Sequence, residues 1–243
     1  MVKNRLLDSE LYIYQDEDWF KFSIDSVLLA HFVTVNLRCK RIMDLACGNA
    51  PIPMFLSYRT NALIYGVEFQ KCVYDLGVKS VLENHLDEQI KLVNDDVREL
   101  NHLFESDSFD VVTCNPPYFK VSNDEFTNSN SVKAIARHEI HLNLEDVLRT
   151  ACYLLKNGGI FAMVHRTERL IEIIDIFKKY YIEPKRIQFI YPKASKNSDL
   201  FLIEGIKNGK TGLKMLSPLV IHKDNDEYTD VVQDILNFTN RGE

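Results

Sequence analysis

Hydrophobic and polar positions follow two different periods along this 243-residue chain. Short apolar, β-branched runs typical of buried strands alternate with stretches in which apolar residues recur every three or four positions, as in amphipathic helices. The predicted strands cover residues 41–47, 63–69, 90–95, 109–115 and 159–165, and the clearest predicted helices cover 71–85, 144–155 and 169–181. Asn143 is expected to open the middle helix, and Asn157-Gly158-Gly159 to close it with a left-handed stop. This alternation favours an α/β fold with a parallel sheet.

The pattern changes after the fifth strand. Residues 182–193 and 200–208 are two strand candidates joined by a short polar loop, and they predict an antiparallel finish to the sheet. The opening segment combines a strand-like LYIYQ with a helix-like stretch at 24–35, so we expect residues 1–40 to pack as a flap over the carboxyl edge of the sheet. Neither repeats nor a Pro/Gly/Ser-rich linker interrupt the chain, which predicts a single domain over residues 1–243.

Composition narrows the class of protein. Apolar residues make up 46% and charged residues 26%, which is the usual globular mix. The N-terminus lacks an apolar signal region and no run approaches the roughly 18 apolar residues of a membrane span, so we expect a cytoplasmic protein with no membrane partner. Five cysteines without C-x-x-C spacing argue against a disulfide framework and a structural zinc site, and we expect no metal.

The charge distribution bears on possible partners. A net charge of −6 is unusual for a nucleic-acid-binding protein. Residues 156–214, however, carry 12 Lys/Arg against 6 Asp/Glu, so a basic face on an acidic protein is compatible with the sequence. The alternative is that these lysines and arginines are ordinary solvated surface.

Candidate ligand-binding residues follow the predicted strands, because ligands of open α/β sheets bind at the carboxyl ends of the strands. The first strand runs into a small-residue turn, Asp44 to Pro51, that lets a ligand approach the backbone. It matches neither G-x-G-x-x-G nor the P-loop, which disfavours a nicotinamide cofactor and ATP. Glu68 ends the second strand at the position where a carboxylate accepts hydrogen bonds from ribose, or it is a helix-terminal Glu favoured by the helix dipole. At Asn94-Asp95-Asp96 a carboxylate could bind an adenine amine or cap a turn.

The fourth strand ends in the most informative motif, Asn115-Pro116-Pro117-Tyr118. Two prolines stiffen the turn and remove two backbone donors, leaving carbonyl groups to accept. The amide oxygen of Asn115 and the carbonyl of Pro116 can then accept from one NH2 group, while Tyr118 offers a ring for stacking a planar base. This arrangement predicts chemistry on a planar amine, with these four residues as the catalytic set.

These residues resemble those of class I S-adenosylmethionine-dependent N6-adenine methyltransferases, whose signature is (D/N)-P-P-(Y/F/W). Within that class the chain is most similar to the bacterial tRNA1(Val) adenine-37 N6-methyltransferase family. The flanking strings that carry this similarity are FSIDSVLL at 22–29, Arg137-His138-Glu139 and LIEGIK at 202–207. The resemblance implies a Rossmann-like, seven-stranded, mostly parallel sheet of order 3-2-1-4-5-7-6 with the seventh strand antiparallel.

The resemblance also implies how S-adenosylmethionine would be bound. Asp44 and Gly48 would hold its methionine part, Glu68 its ribose and Asp96 its adenine. The other implied cofactor-binding residues are Phe22, Asp25, Ser26, Ala46, Phe69, Asp95, Val97 and Asn115. One departure is that Ala46 and Ala50 stand where the family usually has glycines.

The implied substrate is tRNA, with no obligate protein partner evident. An unpaired anticodon-loop adenine suits base flipping, which costs least for unpaired bases. The predicted substrate contacts are Tyr118, Lys120, Arg137, His138, Arg166, Lys193 and Lys196. Alternatives are a protein-glutamine N5-methyltransferase, which also uses N-P-P-Y, a DNA adenine methyltransferase, and a non-catalytic RNA-binding module on the same fold.

Overall fold

A computed structural model of the chain describes residues 2–6, 10–16, 23–116 and 142–237. The strands are β1 Val2–Arg5, β2 Tyr12–Gln15, β3 Arg41–Leu45, β4 Leu63–Glu68, β5 Ile90–Asn94, β6 Phe109–Cys114, β7 Leu155–Arg166, β8 Ile182–Lys193, β9 Leu200–Lys207, β10 Lys214–Met215 and β11 Leu219–His222. The α-helices are α1 Ile24–Phe32, α2 Pro51–Ser57, α3 Lys71–Glu83, α4 Leu144–Leu154, α5 Leu170–Lys179 and α6 Asp230–Leu236.

The main sheet has the predicted topology. Its order is β10-β8-β9-β7-β6-β3-β4-β5, so the seven strands from β5 to β8 reproduce the order 3-2-1-4-5-7-6. Strand β9 is antiparallel to both β7 and β8, and the pairs from β5 to β7 are parallel. The α/β fold class and the antiparallel seventh strand are therefore confirmed.

The number of strands is larger than predicted. The described residues form nine strands in this sheet, because β10 and β11 both pair parallel with β8. These additions span only two and four residues, and Pro218 lies between them. Segments this short show too few alternations for a periodic pattern to reveal them.

The core lies in two layers on opposite faces of the sheet. One layer contains side chains of α1, α2 and α6, such as Leu28, Phe55 and Ile235. The other contains side chains of α4 and α5, such as Leu148 and Phe177. Burial on both faces explains the nearly continuous apolar runs of the central strands.

The helix stop predicted at Asn157-Gly158-Gly159 is wrong. Asn143 caps α4 as expected, accepting a 2.8 Å hydrogen bond from the backbone N–H of Asp146. The helix nevertheless ends at Leu154, and Gly158, with φ +79°, lies inside β7. Pairing of β6 with β7 shifts there, since Phe109 faces Leu155 whereas Val111 faces Ile160. The left-handed glycine therefore serves an irregularity of the strand and not a helix stop.

The opening segment reaches the carboxyl edge of the sheet at two points. Strands β1 and β2 form a hairpin on α3, where the N–H of Tyr14 donates to Ser80 Oγ at 2.9 Å. The carbonyl of Tyr14 accepts from Asn49, in the turn after β3, at 2.9 Å. Further on, α1 brings Ser26 to the end of β6, where Asn115 Nδ2 donates to its hydroxyl at 3.2 Å. A flap formed by residues 1–40 as a whole, and a single domain, remain predictions.

Candidate active site

The turn after β3 is built from left-handed residues. Ala46, Gly48 and Ala50 have φ values of +54°, +57° and +70°. Glycine adopts this conformation without strain, whereas each alanine there costs on the order of 1 kcal/mol. Pro51 follows at the start of α2, where its fixed φ suits the first helical turn. The result is a tight turn ending in a helix N-terminus at the centre of the sheet edge.

Asp44 lies fully buried at the end of β3, directly before this turn. Its Oδ1 accepts a 2.7 Å hydrogen bond from the hydroxyl of Thr113, which is its register partner on β6. No donor among the described residues reaches its buried Oδ2. Burial raises the pKa of Asp44 to about 8, with a smaller upward contribution from Glu68 and an opposing one from Thr113. A buried carboxylate oxygen without a donor is suited to an incoming cationic or N–H group.

Glu68 connects the end of β4 to the same turn. Its buried carboxylate accepts from the backbone N–H of Gly48 at 3.0 Å and from that of Gln70 at 2.8 Å. Burial raises the pKa of Glu68, and the backbone hydrogen bonds oppose that rise. A carboxylate offers about four lone-pair positions, so these two bonds leave acceptor capacity for a ligand hydroxyl. Glu68 thus holds the turn after β3 against the end of β4.

The carboxylates after β5 are engaged locally. Asp96 caps the 3₁₀ helix Val97–His102, accepting from the N–H of Arg98 at 2.9 Å and pairing with its guanidinium. Asp95 Oδ1 accepts from the N–H of Asp96 at 2.7 Å, and Asp95 Oδ2 lies 3.1 Å from His102 Nε2. The side chain of Val97 is buried in the core. Turn formation and capping therefore account for both aspartates without a ligand.

Asn115 and Pro116 follow β6, with Asn115 half-buried and Pro116 buried. Asn115 therefore stands one strand away from Asp44, since β3 and β6 are neighbours. Asp25, in the first turn of α1, is half-buried, and Phe69, after Glu68, is 49% exposed. Six predicted site residues lie outside the described residues: Phe22, Pro117, Tyr118, Lys120, Arg137 and His138.

Three predicted substrate contacts lie on the same edge as Asn115, because β8 runs in the same direction as β7 and β6. Arg166 ends β7 and is half-buried, and Lys196 is exposed in the loop between β8 and β9. Lys193 instead pairs with Asp226 at 2.6 Å and donates to a backbone carbonyl at 3.2 Å. The structure thus puts these residues on the same edge of the sheet as the Asn-Pro motif, with β8 three strands away from β6, and it assigns Lys193 a partner within the chain.

Sequence reasoning missed two polar residues at this edge. Thr113 binds Asp44, yet nothing in a β-branched run shows which member faces a particular residue of the next strand. His165 is buried near the end of β7, and its Nδ1 accepts from the N–H of Arg166 at 2.8 Å. Burial, followed by the charge of Arg169, lowers the pKa of His165 to about 4. It is therefore neutral at pH 7.

The described ranges contain no group of three or more His, Cys, Asp or Glu side chains that could hold a metal ion. None of the helices described is long and apolar enough to cross a membrane. All five cysteines are free thiols, and burial raises the pKa of both Cys47 and Cys114. Cys39, Cys47 and Cys114 are buried, and Cys72 and Cys152 are partly buried.

The fold and the site at its carboxyl edge agree with a family comparison. Residues 38–203 match the family model described as a methyltransferase domain. Because that match covers more than half of the chain, the protein belongs to the methyltransferase domain family.

Two curated proteins are similar to this chain over most of its length. The chain is 24% identical over 224 residues to the tRNA1(Val) (adenine(37)-N6)-methyltransferase of Bacteroides fragilis, covering 91% of this chain and 93% of the relative. It is 26% identical over 192 residues to the protein of the same name from Parabacteroides distasonis, covering 79% of each. A solved structure of a predicted O-methyltransferase from Agrobacterium tumefaciens has a TM-score of 0.72 at 22% identity, covering 88% of this chain and 96% of that one. This structural likeness shows a shared fold.

Proposed function

We propose that the protein transfers a methyl group from S-adenosylmethionine to the exocyclic N6 of an adenine in tRNA, with adenine 37 of tRNA1(Val) as the target. The observation that supports this most is the juxtaposition of Asn115-Pro116 with Asp44 on neighbouring strands of a methyltransferase-family fold. The names of the curated relatives supply the tRNA and the position. A cytoplasmic location follows from that substrate.

The residues of the turn fit this cofactor. The Oδ2 atom of Asp44 is a buried acceptor with no donor among the described side chains, and it would bind the ammonium of the methionine part. Glu68 would accept from the ribose hydroxyls with its remaining lone pairs, and the half-exposed ring of Phe69 would lie against the adenine. We assign Asp96 to the capping of its 3₁₀ helix first and to the adenine only as a secondary contact. When bound, the cofactor supplies an electrophilic methyl group on a sulfonium.

Asn115 and Pro116 would act by orienting the amine. The N6 lone pair of adenine is delocalised into the ring, which makes it a weak nucleophile. An amide oxygen and a backbone carbonyl that both accept from the N6 hydrogens favour a more tetrahedral nitrogen and aim its lone pair. Orientation and electrostatics of this type are the main sources of catalysis here. A strong base is unnecessary, because the methylated ammonium product loses its proton readily.

The substrate would approach from the β7–β8 side of the edge. The target base has to leave its stack, at a cost of a few kcal/mol that is smallest for an unpaired loop base. Arg166 and Lys196 lie on this side and are the proposed phosphate contacts of the described part. Lys193 would have to exchange its ion pair with Asp226 for a phosphate. The motif residues Tyr118, Lys120, Arg137 and His138 remain predicted contacts.

The test is transfer of labelled methyl from S-adenosylmethionine to unmodified total tRNA, with total protein and unmethylated DNA as parallel acceptors. We expect label in tRNA as N6-methyladenosine. Asn115→Ala should lower turnover at least tenfold and leave cofactor binding nearly unchanged. Asn36→Ala is the matched control, since this exposed asparagine lies before β3, at the opposite edge, and its side chain accepts from Arg38 N–H in its own loop.

Each other outcome points to a named alternative. Label in protein alone would favour the protein-glutamine reaction. Label in DNA would favour a DNA adenine methyltransferase. No label with intact cofactor binding would favour a non-catalytic RNA-binding module. Wild-type turnover in Asn115→Ala would refute the orienting role of the amide.

A further inference from the structure

We propose that Asn49 is a positioning residue that couples the turn after β3 to the hairpin of β1 and β2, so that cofactor binding and docking of the hairpin stabilise each other. This inference rests on the cofactor part of the proposed function and not on its tRNA substrate. It gives a role to the opening hairpin, to which none of the predicted site residues belongs.

The hairpin docks through the backbone along one edge of β2. Within the described chain β2 pairs only with β1, so the N–H and C=O groups on its other edge need partners outside the hairpin. Asn84 of the α3 C-terminus accepts from the N–H of Tyr12 at 2.8 Å and donates to its carbonyl at 2.7 Å. Ser80 Oγ accepts from the N–H of Tyr14 at 2.9 Å. Helix α3 thus satisfies three of the four backbone groups of this edge.

The fourth group, the carbonyl of Tyr14, is bound by the turn after β3. Asn49 Nδ2 donates to it at 2.9 Å, and Asn49 is only 4% exposed, so little water reaches this side chain to compete for the bond. A carbonyl group only accepts, and the contact therefore requires the NH2 end of the amide. Asn49 is thus the residue through which the turn holds the hairpin.

Asn49 occupies the middle of the left-handed part of the turn. Its neighbours Gly48 and Ala50 have φ values of +57° and +70°. The carboxylate of Glu68 holds the N–H of Gly48 at 3.0 Å. A Cβ on Gly77 of α3 would lie 3.4 Å from backbone atoms of Asn49, so the turn packs directly on this helix. The turn is therefore held by β4 on one side and by the hairpin, through Asn49, on the other.

The hairpin and the cofactor favour one conformation of the turn. Left-handed alanines are strained, so other conformations of the turn compete with the observed one. The bond from Asn49 disfavours those conformations, and so does a cofactor that binds the observed turn. Two partners that select the same conformation strengthen each other by an equal factor in both directions. One hydrogen bond limits that factor to about threefold to tenfold.

The test is residue-resolved amide hydrogen exchange measured by NMR. A two-stranded hairpin is marginally stable alone, so we expect this one to open locally, without global unfolding. Saturating S-adenosylhomocysteine should slow exchange of the Tyr14 N–H in the wild type by about threefold to tenfold. In Asn49→Ala this effect should fall below twofold. The N–H of Leu216, which donates to the carbonyl of Ile187 at the other end of the sheet, is the internal control and should not respond.

A matched variant and a ligand-free comparison complete the test. Gln89→Ala is the control, since Gln89 Nε2 donates to the carbonyls of Thr60 and Ala62 at the opposite edge of the sheet. It should keep the wild-type response to the cofactor. Without ligand, Asn49→Ala should already speed exchange at Tyr14 by about threefold to tenfold, whereas Gln89→Ala should leave it unchanged.

Three results would overturn the proposal. Unchanged exchange at Tyr14 in the saturated wild type would show that the cofactor and the hairpin are not coupled. An equal cofactor effect in the wild type and in Asn49→Ala would show that the coupling bypasses Asn49. Unchanged exchange in the ligand-free Asn49→Ala protein would show that the bond contributes nothing to docking.

These measurements need neither tRNA nor turnover, which separates the inference from the proposed substrate. If the cofactor slowed exchange in the hairpin as expected while no tRNA was methylated, the substrate would fail and the coupling would stand. If the wild type bound no S-adenosylhomocysteine, the cofactor assignment and the coupling would fail together.

Discussion

Cofactor affinity should depend on pH through Asp44. The ammonium of the methionine part would bind the ionised carboxylate, but burial raises the pKa of Asp44 in the free protein to about 8. Below that pH the proton must leave before the ion pair forms, so affinity should rise as pH rises. At pH 6 about 1% of the carboxyl is ionised and at pH 7.5 about a quarter, which predicts an affinity gain of about 25-fold between them. Above pH 8 the ligand's own amino group begins to lose its proton and the gain should stop.

The assay is calorimetric titration with S-adenosylhomocysteine, the stable product, from pH 6 to 7.5. Asp44→Asn should bind weakly and show a flat profile, because the amide does not titrate. Thr113→Val should move the rising limb to higher pH, since the hydrogen bond from Thr113 lowers the pKa of Asp44. A wild-type Kd that changes less than threefold over this range, or an Asp44→Asn variant that keeps the slope, would refute the assignment of Asp44 to the ammonium.

Further predictions concern stability and the ribose contact. Because the pKa of Asp44 is raised, the folded free protein keeps a proton that the unfolded chain loses above pH 4. The free energy of unfolding, measured in urea, should therefore fall by up to ~5 kcal/mol from pH 4 to pH 8. Asp44→Asn should remove this dependence on pH. Ala46→Gly should raise the free energy of unfolding by about 0.5–1 kcal/mol, since it relieves a left-handed alanine, and no gain in urea unfolding would contradict this. Glu204→Ala should cost about 3 kcal/mol by stranding Arg186, and an unchanged thermal midpoint would count against that ion pair. Glu68→Gln should weaken S-adenosylhomocysteine binding about tenfold, which calorimetry would detect, and an unchanged Kd would exclude the ribose role.

The central strands could be predicted from the sequence because a strand that is buried on both faces of the sheet has a nearly continuous run of apolar residues. The prediction for residues 182–193 coincides with β8, and the prediction for 63–69 ends one residue beyond β4. The positions of Glu68 and Asn115 at strand ends followed from the predicted ends of the second and fourth strands. Both residues lie where the sequence puts them, although their roles remain proposals.

Other features depend on contacts that local patterns do not contain. A glycine with positive φ occurs both at helix ends and in strand irregularities. The sequence around Gly158 favours a helix end, whereas the structure places this glycine in an irregularity of β7. From the sequence, Asp96 suits an adenine contact and a helix N-cap equally well. The hydrogen bond from the backbone N–H of Arg98 shows that the N-cap forms. The facing of Asp44 and Thr113 depends on the register of two parallel strands 69 residues apart.

The structure shows what the glutamate of the LIEGIK segment, residues 202–207, binds. Glu204 lies far from the proposed chemistry in sequence, yet its carboxylate binds both Arg186 and Thr34, which follows α1. Because α1 carries Ser26 to Asn115, loss of Glu204 should disturb the amide as well as the fold. The two segments are therefore connected in the fold: Glu204 of LIEGIK binds Thr34, just after the helix α1 to which most of FSIDSVLL belongs. A residue can in this way be required by a reaction without approaching any reacting atom.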